Sequence, residues 1–150
     1  MPDGAETAGQ GLLGGYDVGV QVGFLLRRAH QRHVALFQDA MASIDLTPAQ
    51  FNALIRVVEL DAPSQNQLGR LSAMDPATIQ GVVRRLVQRG LVQRGADPTD
   101  RRASVLTPTD AGLTLAARAA AVGHAVTEAT LAPLSATERR TLLKLLGKIS

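Results

Sequence analysis

Apolar residues along this chain follow two different periods, and the changes of period mark out its elements. From about residue 17 to 44, Val18, Val22, Leu25, Leu26, Ala29, Leu36, Phe37, Ala40 and Ile44 recur at three- and four-residue steps, the spacing of one helix face. Thr47-Pro48-Ala49-Gln50 predicts the next helix start: a capping hydroxyl, Pro at the first helical position and Gln at the third. Phe51, Leu54, Ile55 and Val58 form its apolar face, and Asp61-Ala62-Pro63 ends it. Ser64 with Gln67 repeats the capping box ahead of Leu68 and Leu71. Asp75 followed by Pro76 opens a fourth helix, which turns Ile79, Val82, Val83 and Leu86 inward and stops near Gly90. The period then shortens, and residues 91–94 and 103–106 read as two short strands around an arginine-ended turn. Thr107-Pro108-Thr109-Asp110 starts a fifth, alanine-rich helix that Pro133 interrupts. Ser135 with Glu138 caps a last helix bearing Leu142, Leu145, Leu146 and Ile149.

Helix, turn, helix, strand, loop, strand over residues 64–107 is the element order of a winged helix-turn-helix, a DNA-reading unit. The expected fold is mainly α with a small two-stranded β-wing. A winged-helix lobe (46–107) is flanked by N- and C-terminal dimerisation helices (16–45 and 108–150). Residues 1–15 hold five glycines without periodicity and read as a mobile tail before a single domain, 16–150. The terminal helices carry more apolar face than so small a lobe covers, which points to packing across a two-fold axis as a homodimer.

Composition narrows the class. At 150 residues and 45% apolar the chain buries a real core, and with no Trp and three Phe that core is aliphatic. No apolar run approaches the ~20 residues of a membrane span, so no membrane partner is expected. The N-terminus lacks the basic start and apolar core of a signal peptide, and a cytoplasmic location follows. The absence of cysteine excludes disulfides, thiolate catalysis and thiol-based sensing. The net charge of +3 says less than its distribution. Residues 84–102 hold Arg84, Arg85, Arg89, Arg94, Arg101 and Arg102 against Asp97 and Asp100, a local excess of four positive charges. No Gly-rich phosphate loop, nucleophile elbow or paired-carboxylate motif suggests an enzyme, and no cofactor is implied. His30 and His33 are one turn apart, but no acidic cluster completes a four-ligand metal site.

Three segments carry a family resemblance. Leu46-Thr47-Pro48-Ala49-Gln50-Phe51, Leu86-Val87-Gln88-Arg89-Gly90-Leu91-Val92, and Asp97-Pro98-Thr99-Asp100-Arg101-Arg102 followed by Leu106-Thr107 and Gly112 resemble MarR-type transcriptional regulators. The wing segment is the most specific of these, and the likeness runs from about residue 17 to the C-terminus. It implies a homodimeric winged-helix repressor on a palindromic operator in double-stranded DNA, released by a small aromatic acid. The stretch from Gly23 to His33, with Ser64–Leu71 and Asp75–Ile79, resembles the branch controlling catabolism of nicotinate and related aromatic acids. Many relatives are basic where this chain has Gly81 and acidic where it has Arg84, so the operator sequence does not transfer.

In the fourth helix Pro76, Ala77, Thr78, Gln80, Gly81, Arg84 and Arg85 lie off the apolar stripe, where base edges and phosphates would be met. Gln80 suits adenine, Arg84 guanine, and Ala77 or the Thr78 methyl a thymine methyl. Gly81 either allows a close approach to the groove or is a neutral position. Ser64 and Gln65 are candidate phosphate ligands, and Ser64 serves equally as a plain helix cap. In the wing, Arg101 or Arg102 would enter the minor groove while the other pairs with Asp97 or Asp100; the resemblance favours Arg102 for the groove and Asp100 for orienting the wing. Arg27, His30, His33 and Phe51 combine cation, imidazole and ring as an aromatic carboxylate would need, although the same residues also suit a solvated face and a hydrogen-bonded core histidine. The alternatives are an architectural DNA binder without effector, or a winged-helix protein-interaction module. Retention of Arg84, Arg85, Arg101 and Arg102 argues against the second.

Overall fold

Side-chain caps set where every described α-helix after the first begins. The computed structural model describes residues 13–100 and 102–150. The expected mobile tail therefore falls almost wholly outside the described residues. A single 3-10 turn, Val18–Val20, precedes helix α1, Val22–Met41. The helical pattern beginning near residue 17 is thus broken. Asp17 caps the short turn through Gly19 N–H (2.8 Å), and Gln21 is extended before α1 starts. Helix α2 is Pro48–Glu59, α3 Gln65–Leu71 and α4 Pro76–Gln88. Thr47 Oγ1 accepts from Gln50 N, while Gln50 Oε1 accepts from Thr47 N, each at 3.2 Å, completing the expected box with Pro48 at the first position. At Ser64 only half of the expected box forms. Ser64 Oγ accepts from Gln67 N (3.2 Å), and the Ser64 backbone bridges to Val105. Gly90, at φ 67°, ends α4 in the left-handed conformation that glycine adopts without strain.

Strands β1, Val92–Ala96, and β2, Ser104–Pro108, pair antiparallel, with Val92 opposite Pro108 and Gln93 opposite Thr107. That pairing corrects the start of the next helix. Thr107 and Pro108 belong to β2, so Thr109 is the cap, accepting from Gly112 N (3.0 Å), and helix α5 is Asp110–Leu131. Helix α6, Ala136–Ile149, starts with the expected box at Ser135 and Glu138. Hydrogen bonds from the Ser135 backbone and hydroxyl hold the Glu138 carboxyl below its ordinary value.

One aliphatic core joins the lobe to the long helices. Leu54, Leu68, Ile79, Leu86, Leu91 and Leu106 meet in the lobe, and the cluster continues through Met41 and Phe37 of α1 to Ala116, Ala119 and Val126 of α5. Helix α1 lies along α5. Arg89, just past α4, donates to Asp45 O at 2.6 Å, tying the end of α4 to the α1–α2 elbow, where Asp45 sits at φ 56°. Helix α6 buries no residue and is held to the end of α5 by Arg139, which binds Glu128 at 2.6 Å and Leu134 O at 3.0 Å. Val22, Leu25 and Leu26 of α1 and Leu142, Leu145 and Ile149 of α6 stand exposed along one apolar groove.

Candidate DNA interface and ligand cleft

Helix α4 is two-faced. Ile79, Val82, Val83 and Leu86 are buried, whereas Pro76, Ala77, Thr78, Gln80, Arg84 and Arg85 are exposed and Gly81 is half-buried. Its start is rigid. Asp75 accepts from Thr78 N (2.9 Å) and from Thr78 Oγ1 (2.6 Å), and these bonds lower the Asp75 pKa, the Thr78 hydroxyl contributing most. The cap is therefore formed above the ordinary carboxylate pKa of 3.8 and is lost only as pH falls below it, through the depressed folded value. A Cβ added at Gly81 would meet nothing within 4 Å, so space inside the protomer does not require glycine there.

Among the described residues, the wing turn is braced by hydrogen bonds that Asp97 and Asp100 accept. Asp97 Oδ1 accepts from Thr99 N and Oγ1, each at 2.7 Å, and these bonds lower the Asp97 pKa, the hydroxyl leading. Asp100 Oδ1 accepts from the backbone N–H of Arg102 (2.9 Å), not from its guanidinium. The carboxylates thus shape the turn, and the Arg102 side chain is exposed. Arg101 lies outside the described residues. Gln65 is partly engaged: its Oε1 accepts from Arg94 Nη2 at 2.7 Å, coupling the start of α3 to β1. Pro63 O accepts from Leu106 N (2.9 Å), so the segment before α3 also backs the wing.

Behind this head, α1, α2 and α5 enclose a cleft of about 520 Å³, within the size range of small-ligand sites. His30, His33 and Phe37 of α1 line it, with Phe51 and Asn52 of α2 and His124 of α5. Phe37 and Phe51 meet edge-on, ring centroids 5.3 Å apart. His33 Nδ1 lies 3.0 Å from Thr130 Oγ1, so His33 is bonded across to α5 and still faces the cleft. Gly123 admits the Phe51 ring: a Cβ there would come 2.8 Å from Phe51 Cζ. Three of the four expected ligand residues, His30, His33 and Phe51, are brought together. Arg27 is not. It lies nearly two turns before His33 and does not line the cleft. Neighbouring Arg32 is turned onto Ala129 O (3.1 Å). Asn52, Glu59 and His124 enter from elements distant in sequence, and no helical period in the chain announces them. Among the described residues, no group of His, Asp and Glu is placed to hold a metal ion.

Residues 44–103 match the profile of the MarR family. The chain is 40% identical over 134 residues to the transcriptional repressor NicR of Pseudomonas putida, spanning 89% of this chain and 85% of that protein. The chain belongs to the MarR family. It is a winged helix-turn-helix transcriptional regulator, not an enzyme. The MarR-type architecture superposes on that of Bordetella bronchiseptica BpsR, solved to explain regulation of its DNA binding by 6-hydroxynicotinic acid. That match has a TM-score of 0.85 and 38% identity, over 89% of this chain and 96% of that one. Streptomyces coelicolor PcaV, solved with its natural ligand, matches at TM-score 0.81 and 33% identity, over 89% and 94% of the two chains. No helix among the described residues is long and apolar enough to cross a membrane.

Proposed function

We propose that this MarR-family protein is a homodimeric repressor that leaves a palindromic operator when a small aromatic acid of the hydroxynicotinate class enters the cleft. The observation that carries the reading is the cleft itself: an aromatic slot with imidazoles on two walls, between the helices that carry the reading head and those that carry the apolar groove. The likeness to BpsR, whose DNA binding 6-hydroxynicotinic acid regulates, supports the choice of ligand class. The exposed apolar residues of α1 and α6 are the proposed subunit interface, which would space two α4 helices about one DNA turn apart. On the DNA, α4 would present Pro76, Ala77, Thr78, Gln80 and Gly81 to base edges, with Arg84 and Arg85 on a guanine or phosphates. Ser64 and Gln65 would meet the backbone, and Arg101 and Arg102, on the turn that Asp100 shapes, the minor groove. In the cleft, His30 and His33 would take the acid and Phe51 the ring.

Fluorescence anisotropy of the protein on its own upstream DNA, against a shuffled duplex, tests the reading. Selective binding reversed by 6-hydroxynicotinate or a hydroxybenzoate is the expected result. Binding equal on both duplexes and indifferent to every acid would leave an architectural binder. His33→Ala is expected to raise the effector concentration for half-release at least tenfold with operator affinity unchanged; an unaltered response would make His33 purely structural. Gly123→Ala should act alike by a different route, since the new methyl drives the Phe51 ring into the slot. Its effector affinity should fall by about tenfold, the loss of roughly 1.4 kcal/mol that one displaced ring represents. Isothermal titration of the variant checks this.

A further inference from the structure

All three histidines of the chain, His30, His33 and His124, line the one cleft. Among the described residues, no Lys or Arg lines it. Its one charged wall residue is Glu59 of α2, which is paired with Arg56 at 3.2 Å. A carboxylate placed there meets no permanent cation among the described residues of this protomer, and burying an unpaired charge is costly.

The hydrogen bonds around His33 decide how the imidazole can respond. Thr130 Oγ1 donates its single proton to Val126 O, at 2.8 Å. With that proton committed, the oxygen 3.0 Å from His33 Nδ1 can only accept, so neutral His33 carries its proton on Nδ1. Its Nε2 is then a bare lone pair, which repels a carboxylate. Once protonated, Nε2–H donates a charge-assisted bond to the same carboxylate.

We propose that the cleft captures an aromatic monocarboxylate together with one proton from solvent, taken up at Nε2 of His33, so that effector binding strengthens as pH falls. The inference rests on the effector reading above. The groups facing His33 are consistent with it from each wall. On α1, His30 shares the space, while Arg32 is turned onto Ala129 O. On α2, Glu59 is the charged wall residue, and it is paired with Arg56. On α5, His124 is the only titratable wall residue, beside neutral Thr127 and Thr130. The Thr130 acceptor is kept in both states: Nδ1–H donates to it before and after the proton arrives, so no hydrogen bond is broken on binding.

Calorimetric titration of the full-length protein with 6-hydroxynicotinate, in buffers of different ionisation enthalpy from about pH 5.5 to about 8.5, measures the protons taken up. The ligand carboxyl stays ionised across that range, so any uptake belongs to the protein. Uptake approaching one proton per site at the alkaline end and vanishing at the acid end is expected, with affinity falling by up to about tenfold per pH unit. Thr130→Val removes the acceptor and lets neutral His33 move its proton to Nε2. The ligand should still bind, but with proton uptake reduced and the pH profile flattened, which loss of packing alone would not do. Tight binding with no proton uptake and a flat profile in the parent protein overturns the proposal and leaves the cleft as the effector site. Wild-type uptake in Thr130→Val overturns the role of the Nδ1 tautomer. Absence of binding at every pH overturns the effector reading along with the proposal.

Discussion

Gly112→Ala is expected to destabilise the protein severely, although alanine is a better helix former than glycine by about 1 kcal/mol. The reason is a backbone against a backbone. A Cβ at 112 would overlap the carbonyl oxygen of Leu91, which accepts from Thr109 N at 3.1 Å. Thr109 Oγ1 in turn donates to Gly90 O (2.6 Å) and accepts from Gly112 N (3.0 Å). No side-chain rotation relieves such a clash, so the start of α5 must lift from the end of α4. The two bonds that cross, from Thr109 N to Leu91 O and from Thr109 Oγ1 to Gly90 O, at about 1 kcal/mol each, go with the packing of buried Ala116 and Leu91. The combined loss, roughly 3–5 kcal/mol, is a large part of the stability of a domain this size. Thermal melts monitored by circular dichroism should show a loss of 10 °C or more, or no cooperative transition. Gly81→Ala is the internal control. With open space around it, that change should raise the melting temperature slightly, and a wild-type melt for Gly112→Ala would refute the close approach.

The second large effect is on DNA. Arg102→Ala should weaken operator binding by about 10–100-fold at low salt, corresponding to roughly 1–3 kcal/mol for one groove or phosphate interaction. It should also flatten the plot of log affinity against log salt by about one unit, the share of the slope that one neutralised phosphate supplies. Stability should stay unchanged, because the guanidinium is exposed and the turn is held by Asp97, Asp100 and backbone N–H groups instead. Anisotropy titrations at several salt concentrations measure both quantities. An unchanged slope with unchanged affinity would remove the wing from the interface.

The head of this protein was legible in its sequence because its determinants are local. Thr47 and Asp75 cap their own helices through residues three positions on, and the apolar stripe of α4 repeats within one element. Local chemistry misled where a second partner claimed the same residues. Thr107-Pro108 looks like a helix start, yet pairing with Gln93 and Val92 holds both in β2, because a strand end tolerates proline as well as a first helical turn does. The cleft was only half legible. His30 and His33 advertise themselves on one helix face, but which turn of α1 lies opposite α5 depends on packing between distant segments. Arg27, grouped with them on that helix, does not line the cleft, and nothing in the sequence marks Asn52, Glu59 and His124 as its lining. The tight approaches of Gly112 to Leu91 and Gly123 to Phe51 share that cause, since each neighbour is more than twenty residues away.

Helix α5 touches both ends of the protein's business. Near its N-terminus Gly112 is pressed on Leu91, at the foot of α4, and eleven residues later Gly123 is pressed on Phe51 beside the cleft. Eleven residues of helix span ~16 Å, and a helix is stiff over that distance. A tilt of about 5° at the cleft end thus swings the other end by ~1.5 Å. At Gly112 backbone meets backbone, so a displacement there would be carried into the end of α4 instead of being absorbed by side chains. In a dimer each protomer would contribute its own swing, so the separation of the two reading helices would change by the sum. A site tuned to one DNA turn would then be misread through geometry alone, without any base-reading side chain being altered.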